Sequence, residues 1–520
     1  MKKLIFAISF LLIGIVIMAS LYFSNLQRST NANDLALNAV SANAGLVISF
    51  DHDKSFYEIM EGQELLQQLI GKTKSKQLHA LYTLLNTHRN LNEVLHEQKI
   101  YIAFLPGTKK EIDLLLCMQL KQLPDLAGFG SVISTSPLAA PLNDVFKLTF
   151  TDSTLLYIGN KGNLAVLSGN PELVHNTLKQ PAENNDFAAY IKKNSGAAKN
   201  NLITAYVNFE GLHPLLKPVM SSPLNGELEV LNQKQTYTTL HYNFSAEKVL
   251  WNGEMTINPE MAYYRLFADL PDQTLSLNTI LPQTTANYTI YAVNNYKSWK
   301  EKLDQWLETK KEKEKLIQNE IAVNKKYGLD LQKIFPVYFK NQFITFQLAS
   351  GEKFGGIALT NGEKVNQLLL DLSATYAPDI KIFREAGLPY AYFGEPFKKF
   401  DKPYYTILDN YLVMANYASS IQVFLNQYRN NQLLINNKAY QRLNNQLSGA
   451  TLSFYIDRKN SETLFSRNLN MPYFRQYQAD EGLGKFDGLS LQLSGNKGKF
   501  LTNLLLLKEN NVLSTDSLSQ

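Results

Sequence analysis

The sequence predicts an α+β protein: two tandem, pseudo-repeated units, each a mostly antiparallel sheet packed with helices, behind one N-terminal transmembrane helix. Three observations carry that expectation. Strand-like segments recur in one order along the two halves of the 520-residue chain, a hairpin-to-helix junction occurs twice, and an uncharged apolar run opens the chain.

The recurrence starts near Asn43 and again near Thr284. Gly45-Leu-Val-Ile-Ser matches Asn287-Tyr-Thr-Ile-Tyr at an offset of 242 (287 − 45), and Gln98-Lys-Ile-Tyr-Ile matches Gln342-Phe-Ile-Thr-Phe at 244 (342 − 98). Leu164-Ala-Val-Leu-Ser matches Leu412-Val-Met-Ala-Asn at 248 (412 − 164), and Ala205-Tyr-Val-Asn matches Phe454-Tyr-Ile-Asp at 249 (454 − 205). Thr238-Thr-Leu-His-Tyr then matches Leu489-Ser-Leu-Gln-Leu at 251 (489 − 238). The drift runs one way, as small loop insertions produce. Repeats of this kind define a fold.

The repeated junction joins a hairpin to a helix. In the first half, Leu164–Ser168 leads into Gly169-Asn-Pro-Glu172, where Asn170 suits a helix cap and Pro171 the first turn, which needs no amide donor. In the second half, Tyr411–Ala415 leads through Asn416 and Ser419-Ser420 into Ile421, Val423, Phe424 and Leu425.

Lys2-Lys3 precede Leu4–Phe23, a charge-free apolar run of twenty residues. At helical rise that length just crosses a bilayer core, the lysines favour a cytoplasmic amino terminus, and Ile17 and Ala19 make a poor cleavage site. The organisation expected is 1–24 signal-anchor or signal peptide, 25–42 polar linker, 43–259 first unit, 260–283 ordered connector, 284–509 second unit and 510–520 polar tail. The expected location is the inner membrane, single-pass, with the body in the periplasm; cleavage of the signal gives a secreted form instead.

Composition narrows the function classes. Apolar content of 45% is ample for packed cores. The balance of 51 basic against 46 acidic residues gives a formal charge of +5 with no basic stripe suited to nucleic acid. Cys117 is the single cysteine, so an intramolecular disulfide is impossible; its setting, Ile112-Asp-Leu-Leu-Leu-Cys-Met118, is that of a buried strand.

Period-two alternation predicts strands in the first unit at Leu46–Phe50, Ile100–Phe104, Ile112–Met118, Val145–Phe150, Leu155–Ile158, Leu164–Leu167, Ile203–Val207, Tyr237–Phe244 and Trp251–Ile257. In the second they fall at Tyr288–Ala292, Phe343–Leu348, Gly356–Leu359, Tyr390–Phe393, Tyr405–Leu408, Tyr411–Ala415, Leu452–Ile456, Leu489–Leu493 and Leu501–Leu507. Gly159-Asn-Lys-Gly162 and Asp409-Asn410 signal hairpins. Helical spacing marks Ser55–Ile70 and Tyr296–Ile321, the latter with Trp299, Leu303, Trp306 and Leu307 on one face. Thr360-Asn-Gly-Glu363 reads as a capping box before Val365, Leu368, Leu369 and Leu372. The connector carries Tyr263, Tyr264, Leu266 and Phe267 and reads as a strand followed by ordered chain.

No catalytic, cofactor or metal residues are expected. All seven histidines, His52, His79, His88, His96, His175, His213 and His241, lie in the first unit. Asp51-His52-Asp53 offers ligand chemistry, but three adjacent residues at a strand end point in alternating directions and read as an exposed turn. His79 and His88 lack the i, i+4 spacing of metalloprotease helices, and Gly128-Phe-Gly-Ser131 lacks a nucleophile elbow. The acidic run Asp480-Glu-Gly-Leu-Gly-Lys-Phe-Asp-Gly488 reads as a turn before a strand.

Three phrases, Ile280-Leu-Pro-Gln-Thr-Thr-Ala-Asn-Tyr288, Tyr327-Gly-Leu-Asp-Leu-Gln-Lys-Ile-Phe-Pro336 and Tyr411-Leu-Val-Met-Ala-Asn-Tyr-Ala-Ser-Ser420, are similar to those of a bacterial family of unknown function with one amino-terminal membrane segment and a duplicated extracytoplasmic domain. The family implies no catalytic residues, and the Gly-Leu-Asp-Leu phrase is missing from the first unit. The expectation is a non-enzymatic, membrane-tethered periplasmic binding or scaffolding protein of the cell envelope, with an envelope protein or apolar ligand as partner and no nucleic acid. The alternatives are a carrier of a lipid or other apolar ligand, and a hydrolase with a site in the first unit.

Overall fold

A computed structural model describes residues 34–51, 75–80, 98–107, 111–120, 133–138, 142, 144–150, 153–179, 185–195, 203–221, 235–243, 245–257, 262–478 and 482–509. The chain is α+β with extensive antiparallel sheet. Described residues up to Val207 form one compact unit and those from Asn208 onward a second. The apolar run Leu4–Phe23, the helix expected at Ser55–Ile70 and the Gly128–Ser131 loop lie outside the described residues, and no described helix is long and apolar enough to cross a membrane.

The first unit contains β1 (Leu46–Asp51), β2 (Lys99–Pro106), β3 (Ile112–Gln119), β4 (Ile133–Pro137), β5 (Val145–Phe150), β6 (Leu155–Lys161), β7 (Leu164–Ser168) and β8 (Thr204–Asn208). Antiparallel pairing runs β8-β1-β2-β3-β7-β6-β5-β4. Cys117 is buried in β3, where it pairs with Tyr101 and Val166 and burial pushes its thiol pKa up, as an inert structural thiol requires. Helix Pro171–Lys179 buries Val174 and Leu178 against the β5–β7 meander, and Asn170 Oδ1 accepts from Glu172 N at 3.1 Å, so the expected cap is present. A helix at Asp34–Ser41 buries Ala36, Leu37 and Val40, inside the stretch 25–42 that reads as polar linker in sequence. Its packing on β2 and β3 explains why three apolar residues suffice to fix it.

The second unit contains β9 (Tyr237–Asn243), β10 (Lys248–Thr256), β11 (Thr285–Ala292), β12 (Phe339–Leu348), β13 (Lys353–Leu359), β14 (Ser373–Ala377), β15 (Ile380–Phe383), β16 (Tyr404–Leu408), β17 (Tyr411–Ala415), β18 (Leu452–Asp457), β19 (Phe486–Asn496) and β20 (Lys499–Lys508). Pairing runs β9-β10-β20-β19-β18-β11-β12-β13-β17-β16-β15-β14, antiparallel throughout. From β18 to β14 this order has the same pattern of connections as β8 to β4.

Apolar side chains pack on both faces of the central strands, which is why β13 (Lys-Phe-Gly-Gly-Ile-Ala-Leu) is buried along its whole length after Lys353. On one face Ile290, Ile344, Phe346 and Val413 meet Ile421, Phe424 and Leu425 of helix Ala418–Arg429 and Tyr440 and Leu443 of helix Lys438–Asn444. On the other, the Phe343 ring stacks on Tyr291 and touches Trp299, Phe393 and Phe397. Backbones and rings meet so closely there that a Cβ at Gly355 would lie 2.8 Å from Phe397 and 2.9 Å from Phe400.

Several expected elements differ from the observed ones. Tyr390–Phe393, expected as a strand, lies in helix Leu388–Phe393: Pro389 suits a first helical turn, and four apolar residues satisfy either period. The segment Tyr296–Ile321 is two helices, Tyr296–Thr309 and Lys313–Tyr327, broken where Lys311 adopts φ 59°. The cap of helix Gly362–Leu368 is Asn361, whose Oδ1 accepts from Lys364 N at 2.9 Å, while Thr360 donates instead to Tyr338 O. Helix Ala418–Arg429 has no side-chain cap bond, unlike its expected counterpart. Tyr263–Phe267 is a buried 3-10 helix rather than a strand.

Two sets of reciprocal contacts occur in the second unit. Strands β10 and β20 pair about Asn252 opposite Asn503, and Asn252 Nδ2 donates to Asn503 Oδ1 across 251 positions of sequence. Hairpins β9–β10 and β19–β20 therefore abut through their second strands. Nearby, Met220 bridges Leu469 antiparallel, Ser221 N donates to Asn468 O at 2.8 Å, and Asn470 N donates to Val219 O at 2.8 Å. Met220 and Leu469 are 249 positions apart (469 − 220), the offset that relates Ala205 to Phe454.

Candidate functional site

The histidines do not converge where the structure describes them. His79 is exposed on a helical segment at 75–80, and His213 is exposed in the last turn of helix Phe209–Leu216. His241 lies on β9, where partial burial lowers its pKa. His175 is buried in helix Pro171–Lys179, its Nδ1 2.5 Å from Asp144 Oδ1, which ties the helix to the turn before β5. Asp51 is exposed at the end of β1; His52, Asp53, His88 and His96 lie outside the described residues. Among the described residues no group of three or more His, Cys, Asp or Glu side chains could hold a metal ion.

The densest polar chemistry lies where β18, β19 and β20 end together. Strand β18 finishes in Phe454-Tyr-Ile-Asp457, which puts Tyr455 and Asp457 on one face at alternate positions. The Tyr455 hydroxyl donates to Asp457 Oδ2 at 3.0 Å, while Asn460 N donates to Oδ1 at 2.8 Å and closes the turn into helix Glu462–Asn468. Burial raises the pKa of the Asp457 carboxyl despite these bonds. Burial also pushes the Tyr455 hydroxyl well up, with the Asp457 charge adding to it.

Charged residues surround that turn. Asp487, second in β19, has a side chain only 8% exposed and lies 3.2 Å from Arg442 Nη2, near enough for an ion pair but not aligned as a hydrogen bond. Burial raises its pKa against the opposing pull of Arg442. Arg458 Nη2 donates to Glu509 Oε2 at 2.9 Å, and Lys459 Nζ lies 3.0 Å from Glu509 Oε1. Arg442 Nη2 also donates to Lys508 O at 2.6 Å, and Tyr477 donates to Arg458 O. Asp487 thus faces Arg442 and Glu509 faces Arg458 and Lys459, while Asp457 is held by the Tyr455 hydroxyl and the Asn460 amide. What the network does chemically is hold three strand ends and the helix carrying Arg442 together.

The expectation for 480–488 needs one correction. Asp480 and Glu481 lie outside the described residues, and Gly482–Lys485 is a 3-10 turn, but Asp487 belongs to the strand and is buried. The sequence gives no local sign of this because its partner, Arg442, is 45 positions away (487 − 442).

A backbone contact of the same kind occurs earlier in the chain. Phe209 N donates to Thr236 O at 3.1 Å, as Arg458 N donates to Asp487 O at 3.0 Å. There Asn208 Oδ1 accepts from Glu210 N at 3.2 Å to cap a helix. No protein family, curated protein or solved structure matches this chain.

Proposed function

We propose that this chain is a non-enzymatic, membrane-tethered scaffolding or binding protein of the bacterial cell envelope, with a periplasmic body that arose by duplication. The duplication reading is supported by the shared strand order from β8 to β4 and from β18 to β14, and by the reciprocal contacts about Asn252–Asn503 and Met220–Leu469. Tethering is supported by Lys2-Lys3 before the apolar run Leu4–Phe23.

The single observation that carries the scaffolding reading is the ion network at the ends of β18–β20. Its charges are turned on one another and on strand ends, as in a part that fixes shape. The reading of an apolar-ligand carrier gains little from the second unit. A Cβ at Gly394 would lie 2.5 Å from the Tyr263 ring and 2.9 Å from Leu303, so that core is filled.

Fractionation tests the placement. The full-length chain is expected to stay with carbonate-washed membranes and to be degraded by protease added to spheroplasts. A soluble mature form beginning near Ser20 would replace tethering with secretion. For the non-enzymatic part, a chain with His52, His79, His88 and His96 changed to Gln is expected to complement a deletion strain fully. Loss of complementation with an unchanged fold would move a histidine-dependent hydrolase to the front.

A further inference from the structure

Buried ion networks are poor stabilisers, because desolvating each charge offsets much of the attraction it gains. The turn after β18 does not need one. At the corresponding turn the same backbone hydrogen bond is made with Asn208, Phe209 and Thr236, none of them ionisable, in these positions. Arg458 and Asp487 therefore do more than support that backbone turn: they tie the ends of β19 and β20 to the turn after β18 and to the helix carrying Arg442. Glu509 is held by Arg458 and Lys459 and Asp487 faces Arg442, so each of these two carboxylates already has a cationic partner within the chain.

Duplication creates a hazard that charge can remove. Hairpins β9–β10 and β19–β20 are alike in register, pairing Tyr242 with Trp251 and Leu493 with Thr502, each pair 251 positions on from the other. A chain containing both can dock the wrong hairpin beside β18, from its own first half or from a second molecule. If β9–β10 sat there, Thr236 would stand in place of Asp487 and Asn258 in place of Glu509. Arg442, Arg458 and Lys459 would then be left without their carboxylates, and an uncompensated charge at a partly buried site is strongly disfavoured.

We infer that the network at the ends of β18, β19 and β20 is an assembly key, which admits β19–β20 beside β18 and rejects β9–β10, so that the chain closes on itself as a monomer. This rests on the duplication reading. The key needs no long-range field: three ion pairs at the end of a hairpin distinguish the two otherwise similar partners.

The test is refolding of the full chain from denaturant into detergent micelles over a range of protein concentrations, read by size-exclusion chromatography with light scattering. A variant carrying the first-half residues (Arg458→Phe, Asp487→Thr, Glu509→Asn) is expected to give a several-fold larger oligomeric fraction that grows with concentration. Its monomer should unfold at no lower denaturant concentration than wild type. Refolding as monomer at wild-type yield at every concentration would overturn the key. Should the triple variant not fold, Glu509→Lys alone should raise the oligomer and Arg458→Glu/Glu509→Lys together should restore the monomer; equal oligomer in both overturns the proposal. A disulfide between Asn252→Cys and Asn503→Cys reports separately on the duplicated seam. If it forms while the exchanged variants behave as wild type, the key fails and the duplication stands.

Discussion

Asn252 and Asn503 face each other across β10 and β20, joined by an amide-to-amide hydrogen bond, at the one register position where residues 251 apart become direct partners. On either side the pairs are reciprocal in position: Trp251 faces Leu504, and Gly253 faces Thr502. The β10–β20 register is thus symmetric about the Asn252–Asn503 pair.

Replacing both asparagines with cysteine should lock that seam. Directly opposed residues in an antiparallel pair have Cβ atoms about 4.5–5.5 Å apart, close to disulfide geometry. The only native thiol, Cys117, is buried. Mild oxidation of Asn252→Cys/Asn503→Cys should give a faster-migrating monomer on a non-reducing gel, whereas Asn252→Cys/Leu501→Cys should cross-link poorly. Equal cross-linking of both pairs would mean that the register is not fixed.

Trp306 and Trp299 lie on the inner face of helix Tyr296–Thr309, where Trp306 packs edge-on against Tyr263 at 5.5 Å and Trp299 against Phe267 at 5.7 Å. Removing a buried indole leaves a cavity that the surrounding rings cannot fill, so Trp306→Ala should cost about 3–5 kcal/mol in chemical denaturation. Trp306→Phe should cost less, because the ring contact survives. A loss below about 1 kcal/mol for the alanine would place this face in solvent.

Gly355 should tolerate no side chain. A methyl group there meets Phe397 and Phe400 below 3.0 Å, and both rings are fully buried with no free side to move into. Gly355→Ala is expected to lose about 1–3 kcal/mol by overpacking, although alanine ordinarily suits a strand no worse than glycine. Combining it with Phe400→Leu should recover part of that loss in the same denaturation measurement.

Much of this architecture was legible because alternation survives divergence. The runs at Leu46–Phe50, Ile112–Met118 and Leu489–Leu493 are strands, since apolar residues at alternate positions have a core to face. Registers were harder. On the duplication reading, the hairpins with turns Gly162-Asn163 and Asp409-Asn410 make Leu164 the counterpart of Tyr411, not of Leu412. In β7 and β17 nearly every position is apolar, so a one-residue slip costs nothing in pattern although it reverses every side chain. Ser373–Ala377 and Ile380–Phe383 leave no sequence signal because strands that short carry too few alternations. The network about Asp457 was invisible for a different reason: Arg442, Arg458, Asp487 and Glu509 meet only after three strands and a helix have packed.

Acidification provides the last test, and its direction follows from burial. Asp487 and Asp457 both have folded pKa values above the ordinary aspartate range, so the folded chain holds these protons more tightly than the unfolded chain does. The resulting stabilisation is fully present below the unfolded aspartate pKa, about 3.9, and is lost as pH rises through the folded values. Once ionised, each carboxylate is only partly compensated, Asp487 by Arg442 and Asp457 by the Tyr455 hydroxyl and Asn460 N. Asp487→Asn keeps the shape and removes the titration. Relative to that variant, wild type should lose stability as pH rises from 4 to 7, measured as the difference in denaturation midpoint between the two proteins at each pH. A difference that stays constant would show that Asp487 is solvated, and one that changes in the opposite direction would show that Arg442 outweighs the burial.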